Sequence, residues 1–274
     1  MTTEHFTQVG FENFGPIKKA SLKLTRLHAL IGPNDSGKSF TLNALANQST
    51  VGVLQRRLVR KIRFDPDELR LPTPLFRDDE SLRFSGERGR GLGSILDAIF
   101  VRRAQDYLDI EQRLVERFPV IAGLRLFTRE GGRVVGIRLK NGVEVEGPGM
   151  SEGILYFLAF SALRYLDPVD LLLVEEPENG LHPARIAEVV GILREISKTT
   201  QVVMATHSPL VVNELQPDEV TLVTRTPEHG TKFTPIADTP NFKRRSSAFA
   251  LGELWLAYAD GNTEAPLLSE DKTG

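Results

Sequence analysis

The sequence predicts an α/β protein built on a mostly parallel sheet, and three observations carry this prediction. A glycine-rich segment, GPNDSGKS (Gly32 to Ser39), lies between an apolar run and a stretch with helical spacing. A second apolar run, Leu171 to Val174, is followed at once by two glutamates. Strand-like and helix-like segments then alternate along the C-terminal half of the chain, as expected where helices connect parallel strands.

The first segment, Met1 to about Asn47, is expected to form short strands, a turn and a helix. The run HALIGPND ends in turn-forming residues. Phe40, Leu42 and Leu45 have the spacing of one helix face. We therefore expect an N-terminal antiparallel β portion that leads into a strand, the glycine-rich turn and a helix.

Residues 56–145 differ in composition and are predicted to form a small inserted lobe. From Arg56 to Arg138, Lys and Arg outnumber Asp and Glu by 18 to 13, although the whole chain has a formal net charge of −2. A helical stretch is expected over residues 94–118, and Asn141-Gly142 predicts a hairpin with a type I′ turn. The predicted domains are a core, residues 1–55 and 146–274, and an Arg-rich α/β lobe, residues 56–145.

The remaining residues return to strand and helix alternation. The segment SEGILYFLAFSALRYL is predicted to be helical, and Leu171 to Val174 to be a strand buried on both faces. A further helix is expected to start near Pro183. The runs QVVMAT and EVTLVT predict two more strands, and Ser246 to Tyr258 has the pattern of an amphipathic terminal helix.

Composition limits the chemistry that the chain can perform. Of its 274 residues 41% are hydrophobic and 26% charged, values of an ordinary globular protein. The lack of cysteine excludes disulfides, cysteine-based zinc sites and thiol nucleophiles. The longest uncharged apolar stretch, Gly153 to Leu163, is shorter than the roughly 20 residues that cross a bilayer. With no basic-then-apolar leader, the chain is expected to be cytoplasmic and not bound to a membrane.

The glycine-rich segment matches G-x-x-x-x-G-K-[ST], the phosphate-binding loop called Walker A, and it has the required strand before it and helix after it. Its backbone N–H groups and the helix N-terminus can surround a phosphate chain. Lys38 is expected to reach the β- and γ-phosphates of ATP, and the Ser39 hydroxyl is suited to Mg²⁺. The predicted ATP-binding residues of this segment are Gly32, Pro33, Asn34, Asp35, Ser36, Gly37, Lys38, Ser39 and Phe40.

Two adjacent carboxylates follow the run Leu171 to Val174, at the strand end where parallel sheets bind ligands. Because they accompany the glycine-rich loop, the two carboxylates are predicted to form a Walker B site. Glu175 is predicted to bind the metal ion. Glu176 is predicted to be the general base that activates water, an effect of roughly 10²- to 10⁴-fold in rate.

Two further motifs complete a resemblance. MSEG, Met150 to Gly153, opens a predicted helix, and ATHSP, Ala205 to Pro209, follows a β-run. With the loop and the paired glutamates, they resemble the ABC-type ATPases of the AAA superfamily, in the branch of the OLD ATPases, RecF and the chromosome-maintenance heads. The resemblance covers nearly all of the chain outside Arg56 to Arg138 and implies a P-loop NTPase fold of the ABC-ATPase head type.

The resemblance also implies roles for individual residues. His207 would be the switch histidine and would act in catalysis with Glu176 and Lys38. Residues 179–181 would form the D-loop. In this family the signature serine and glycine of one subunit, here Ser151 and Gly153, contact the γ-phosphate bound by the other. The implied active unit is a head-to-tail homodimer that encloses two ATP molecules.

This sequence departs from the family pattern at several positions. Glu175 stands where many ABC proteins have Asp, and His182 replaces the D-loop Asp. The longer carboxylate is expected to bind Mg²⁺ through a differently placed water, and this departure predicts slow hydrolysis. Gln48, Gln55 and Gln105 are candidates for the Q-loop by residue type alone.

The motifs together predict a Mg²⁺-dependent ATPase whose ATP-driven dimerisation operates a separate effector protein or a nucleic acid. By resemblance, small relatives act in bacterial antiphage defence. No D-x-D follows the ATPase motifs, so a built-in Toprim nuclease is not expected. DNA or RNA is a candidate ligand of a basic cluster, although the interleaved acids of the lobe also fit a solvated surface. The cluster consists of Arg56, Arg57, Arg60, Lys61 and Arg63.

Two other functions stay open. A DNA-repair or chromosome-maintenance ATPase would need a long coiled coil or a large basic surface, and residues 56–145 lack sustained heptads. The nucleotide-binding subunit of a membrane transporter would be expected to carry LSGGQ and a Q-loop, where this chain has MSEG. ATPase activity of the purified chain without a membrane would distinguish the transporter hypothesis.

Overall fold

A computed structural model describes residues 5–47, 57–226, 230–239, 242 and 250–253. In chain order its strands are β1 (Gln8–Phe14), β2 (Ile17–Lys23), β3 (Leu27–Ile31), β4 (Val59–Ile62), β5 (Ile121–Arg129), β6 (Gly132–Leu139), β7 (Glu144–Glu146), β8 (Leu171–Glu175), β9 (Gln201–Thr206), β10 (Val220–Thr226) and β11 (Gly230–Pro235). Its α-helices are α1 (Lys38–Ala46), α2 (Pro66–Leu69), α3 (Leu92–Arg102), α4 (Ala104–Arg117), α5 (Glu152–Leu163), α6 (Pro183–Ser197) and α7 (Pro209–Asn213).

These elements form two compact units. Unit 1 comprises residues 1–61, 169–179 and 183–274, and unit 2 comprises residues 62–168 and 180–182. The units do not follow the predicted boundaries after residues 55 and 145, because α5 packs against α2, α3 and α4 of the Arg-rich segment. Helix α5 therefore packs in unit 2, and its predicted functional role in the ATP-binding core stays a prediction.

Unit 1 contains the mostly parallel sheet that the sequence predicts. The strand order is β11-β10-β3-β9-β8-β4. Strands β10, β3, β9 and β8 run parallel, and β11 pairs antiparallel with β10. Strands β1 and β2 form a separate antiparallel hairpin, which confirms the predicted N-terminal β portion.

The central strands of unit 1 are buried along their whole length, as the apolar runs predict. Every residue of β3, β8 and β9 is buried, which is typical of parallel strands covered on both faces. Because side chains alternate along a strand, Leu171, Leu173 and Glu175 share one face. The core on that face includes Leu42 and Leu45 of α1. The same alternation thus directs Glu175 toward α1.

Unit 2 combines a three-stranded antiparallel sheet, β5-β6-β7, with helices. Helix α3 packs on β6, and α4 packs on β5. Three aromatic rings contact edge to face, with centroids 5.1 Å apart for Phe64 and Phe84 and 5.0 Å for Phe64 and Phe160. This packing joins α5 to the start of the Arg-rich segment.

Two local predictions in unit 2 need correction. The helical stretch over residues 94–118 is two helices, because Arg103 between α3 and α4 has φ −148° and ψ 63°. The hairpin between β6 and β7 is present, but its turn is not type I′. Gly142 has φ 87°, whereas Asn141 lacks the positive φ that a type I′ turn requires. The Gly142 N–H donates to the Leu139 carbonyl at 2.9 Å, so a longer turn closes the hairpin.

Most of the predicted terminal helix, Ser246 to Tyr258, lies outside the described residues. Among the helices that the structure describes, none combines the length and the apolar character needed to cross a membrane.

A buried histidine is expected to make the stability of unit 1 depend on pH. His28 is 2% exposed, and burial lowers its pKa from 6.5 to about 4 against the opposing charge of Glu219. Its Nδ1 accepts from the Thr25 N–H at 3.4 Å, and its Nε2 lies 2.9 Å from Thr221 Oγ1. The ring is therefore accommodated in its neutral form.

Because the unfolded chain binds a proton at His28 below pH 6.5 and the folded chain does not, stability should fall as pH drops from 6.5 to 4. We expect His28 to lower the free energy of unfolding by about 3 kcal/mol between pH 6.5 and pH 4. Denaturant unfolding of wild type and His28→Asn across this pH range measures the effect. The variant should show a flatter pH dependence, and parallel curves would contradict the assignment.

Candidate functional site

The carboxyl ends of three neighbouring strands in unit 1 bring the predicted site residues to one edge of the sheet. Ile31 at the end of β3 pairs with Thr206 at the end of β9. Glu175 at the end of β8 pairs with Ala205. The glycine-rich loop, Glu176 and His207 each follow directly, so the parallel register alone places all three at the same level.

Close approach and positive φ angles explain two glycines of the loop. A Cβ at Gly32 would lie 2.4 Å from the Val223 carbonyl oxygen, and one at Gly37 would lie 2.7 Å from Thr231 Oγ1. Gly37 also has φ 108° where it precedes α1. Ser36 Oγ is buried and has no hydrogen-bond partner within the described part of the chain. A tight backbone with an unsatisfied hydroxyl fits a loop that surrounds a phosphate.

The remaining loop residues are more open to solvent. Asn34, Asp35, Ser39 and Phe40 are exposed, and Pro33 is half-buried. Asp35 has φ 63°, the left-handed conformation that Asp tolerates better than most residues. Phe40 in the first turn of α1 is 47% exposed and lies beside Gly15 of the β1–β2 turn. The predicted ATP-binding residues of this loop are therefore contiguous around the start of α1.

Lys38 provides the positive charge of the loop. Its Nζ donates to the carbonyl oxygens of Gly32 at 2.5 Å and Pro33 at 2.7 Å, which keeps the ammonium over the loop. Burial lowers the Lys38 pKa, and nearby carboxylates, above all Glu176 and Glu178, oppose that shift. The ammonium therefore lies in a negatively charged environment, and its carbonyl partners can be exchanged for stronger anionic ones.

Ser39 and Glu175 are in direct contact. The Ser39 Oγ donates to Glu175 Oε1 at 2.5 Å, although the two residues are 136 positions apart. A hydroxyl and a carboxylate are hard oxygen ligands that suit Mg²⁺. No cluster of three or more His, Asp or Glu side chains in the described residues could hold a metal ion. Mg²⁺ at Ser39 and Glu175 would therefore complete its shell with phosphate oxygens and water.

Glu176 and His207 lie side by side beyond the strand ends. Glu176 has φ 49°, and its N–H donates to the Ala205 carbonyl at 2.8 Å. His207 is 56% exposed, and its Nδ1 is 3.8 Å from Glu176 Oε1 and 3.7 Å from Glu178 Oε1. The paired carboxylates thus differ in surroundings. Glu175 is buried against α1, whereas Glu176 is 29% exposed.

The predicted signature residues and the predicted D-loop residues Gly180 and Leu181 lie in unit 2, whereas Asn179 belongs to unit 1. Ser151 is the exposed N-cap of α5, and its side chain makes no cap hydrogen bond. Gly180 has φ 67°, and a Cβ there would lie 2.2 Å from the Tyr156 ring. A Cβ at Gly153 would be 3.9 Å from the Gly180 carbonyl oxygen. The start of α5 and the D-loop are therefore in contact within this unit.

The Q-loop candidates stay without support. Gln48 and Gln55 lie outside the described residues. The side chain of Gln105 donates to Asp109 one turn further along α4, at 3.0 Å, and is exposed. This arrangement is that of an ordinary surface residue of a helix.

Two residues of this edge were not predicted as site residues. Glu178 is 9% exposed, and its Oε1 accepts from Thr206 Oγ1 at 2.6 Å. Its position two residues after Glu176 could have suggested a third carboxylate. Lys61 Nζ lies 3.3 Å from Glu175 Oε2. No local pattern marks Lys61, because its partner is 114 residues away.

The predicted basic cluster is consequently not one uniform surface. The Lys61 side chain is only 10% exposed and offers little surface to a nucleic acid, and nucleic-acid binding by the cluster stays a prediction. The ammonium is directed to Glu175 instead. Arg57 lies 3.5 Å from Asp170 and over the Phe6 ring. Arg56 lies outside the described residues.

Comparisons with known families identify AAA-type sequence. Residues 99–213 match a family model described as "AAA domain, putative AbiEii toxin, Type IV TA system", and residues 5–99 match a model described as "AAA domain". The first match includes the segments predicted to be the signature, the Walker B site and the switch histidine, and the second includes the glycine-rich loop. No curated protein matches the sequence significantly.

Solved structures with a similar fold include heads of SMC proteins. An Smc head bound to the C-winged helix domain of ScpA is 13% identical, with a TM-score of 0.59, and the alignment covers 84% of this chain and 98% of that one. The Smc head from Pyrococcus furiosus, with an extended coiled coil and bound to the C-terminal domain of ScpA, is 12% identical, with a TM-score of 0.55 and coverage of 84% and 96%. At such identities the similarity concerns the fold. Together, the two AAA models match residues 5–213, and the chain has a P-loop fold similar to that of SMC heads.

Proposed function

We propose that this chain is a Mg²⁺-dependent ATPase whose ATP-bound form closes into a head-to-tail homodimer and thereby operates a separate effector protein. The hydrogen bond between Ser39 and Glu175 carries the proposal. It joins the loop hydroxyl and the strand-end carboxylate that a nucleotide-bound Mg²⁺ requires. When bound, Mg²⁺ would neutralise charge on the β- and γ-phosphate oxygens.

The chain's own residues have separable tasks in this proposal. Lys38 exchanges its two loop carbonyls for phosphate oxygens, since a charged acceptor forms the stronger hydrogen bond. Glu176 is partly open to solvent and accepts a proton from the attacking water. His207, beside Glu176, can donate a hydrogen bond to a phosphate oxygen.

The head-to-tail dimer is supported by the state of Ser151. Its side chain is exposed at the start of a 12-residue helix and makes no cap hydrogen bond. A hydroxyl and helix N–H groups in this position can bind an anion. In the proposed dimer, Ser151 and Gly153 of one subunit complete the phosphate site of the other.

An effector in a separate chain is supported by the comparisons. Both similar SMC heads carry part of a second protein, ScpA, in their structures. One matching family model names a toxin and a toxin–antitoxin system. We therefore propose a cytoplasmic role in bacterial antiphage defence, with ATP-driven closure as the signal to the effector.

Mixing two inactive variants tests the shared sites. Ser151→Arg blocks the signature and Lys38→Ala removes the loop cation, so each variant alone should be inactive. Their heterodimer keeps one intact site, formed by Lys38 of one chain and Ser151 of the other. We expect the mixture to recover up to about a quarter of the wild-type rate, since half of the dimers formed at random are heterodimers with one intact site of two.

The matched control mixes wild type with a Ser151→Arg/Lys38→Ala double variant. Its heterodimers have no intact site, so only wild-type homodimers should contribute. Steady-state phosphate release measures the rate, and native mass spectrometry measures heterodimer formation. Heterodimers of the two single variants without activity would count against sites completed in trans.

A further inference from the structure

A second lysine lies against the predicted metal-binding carboxylate. Lys61, in β4 at the edge of the unit 1 sheet, places its Nζ 3.3 Å from Glu175 Oε2. The same ammonium donates to Asn43 Oδ1 of α1 at 2.7 Å. The side chains of Lys61 and Glu175 are 10% and 7% exposed, so solvent screens this ion pair little.

Glu175 is thus engaged at both carboxylate oxygens. Oε1 accepts from Ser39, and Oε2 faces Lys61. Moving two charges out of water is costly and is repaid only when the geometry is good and further hydrogen bonds are made. Asn43 supplies such a bond to the ammonium. The chain therefore holds the Lys61 ammonium against Glu175, the same carboxylate that accepts from Ser39.

The edge of the sheet around Glu175 carries several negative charges that a cation held by the protein can compensate. The carboxylates of Asp35, Glu175, Glu176 and Glu178 all act on the loop lysine, Lys38. Bound phosphates would add further negative charge to this edge. A cation must compensate these charges, and an ammonium held by the protein is present at every concentration of divalent metal.

We propose that Lys61 is a positioning residue that takes over part of the charge compensation usually left to Mg²⁺, so that this chain binds ATP with only weak dependence on divalent metal. The inference rests on the proposed function, because it assumes that ATP binds at the glycine-rich loop. Mg²⁺ approaching Ser39 and Glu175 meets a carboxylate already paired with an ammonium. The binding free energy that Mg²⁺ gains at this carboxylate is correspondingly smaller.

The test compares ATP affinity, measured by calorimetry, in Mg²⁺ and in EDTA. Wild type should lose little affinity in EDTA. Lys61→Met removes the charge at similar length, and its loss of affinity in EDTA should exceed the wild-type loss by at least about tenfold. Lys61→Arg keeps the charge and should resemble wild type. Lys19→Met is the matched control, because that lysine side chain is 85% exposed.

Circular dichroism establishes that each variant is folded. Lys61→Gln, which retains polarity beside Asn43, serves as a second neutral variant. Equal losses in wild type and in the neutral variants would overturn the inference and leave the proposed function standing. A loss of ATP affinity of a hundredfold or more in EDTA for the wild-type chain would also overturn the inference, whatever the variants show. Absence of ATP binding in Mg²⁺ would instead overturn the proposed function itself.

Discussion

Lys38→Ala should lose ATP affinity by about 100-fold or more while the chain stays folded. The ammonium lies over the loop, where it donates to the carbonyls of Gly32 and Pro33. A charged hydrogen bond contributes about 1.5 to 3 kcal/mol, and the lysine is expected to make more than one to the phosphates. Isothermal calorimetry with ATP measures the loss.

Stability should change much less than affinity in this variant. Burial lowers the Lys38 pKa, which shows that the site disfavours the charged form, so its removal also relieves a cost of folding. Lys23→Ala, on the exposed side of β2, is the matched control and should bind ATP as wild type does. An unchanged ATP affinity in Lys38→Ala would remove the basis for calling this loop a nucleotide site.

The sheet of unit 1 was predictable because its signals are local. Leu171 to Val174 is apolar without interruption, as a strand buried on both faces must be, and the structure buries every residue of β8. The loop pattern also predicts the elements on either side of it, because the glycines and Lys38 bind phosphate only where a strand precedes them and a helix follows. Parallel pairing then brings Glu175 and the loop to one edge without further information.

The packing of α5 could not be predicted in the same way. Ten of its twelve residues, Ile154 to Leu163, are buried, so the helix has no polar stripe that would indicate which side faces its neighbours. The sequence motif at its start suggested membership of the ATP-binding core. Its contacts place it in unit 2 instead.

Lys61 shows a second limit of sequence analysis. In a run with four arginines it has the appearance of one more surface charge. Its burial depends on β4 taking the edge of the sheet beside β8, next to a carboxylate far away in the chain. Hydrophobic periodicity carries no information about such a pair, since the pairing of β4 with β8 is a property of the tertiary fold.

Glu176→Gln should separate ATP binding from hydrolysis. The Glu176 backbone is held at φ 49° by its N–H bond to Ala205, and Gln has the same size and backbone requirements. The amide cannot accept the proton of the attacking water. We expect turnover to fall by roughly 10²- to 10⁴-fold, with ATP affinity nearly unchanged and an ATP-dependent dimer accumulating. Phosphate release and light scattering with ATP measure the two effects.

Glu175→Gln is the matched control, because it makes the same chemical change one residue earlier. Glu175 is the anionic partner of Ser39 and Lys61, so its neutralisation should disturb the pairing beside the loop and weaken ATP binding. It should not trap a dimer. The two predictions differ because one carboxylate is buried against α1 and the other is open to solvent beside His207. Wild-type turnover in Glu176→Gln, or a trapped dimer in Glu175→Gln alone, would show that the two roles are assigned to the wrong residues.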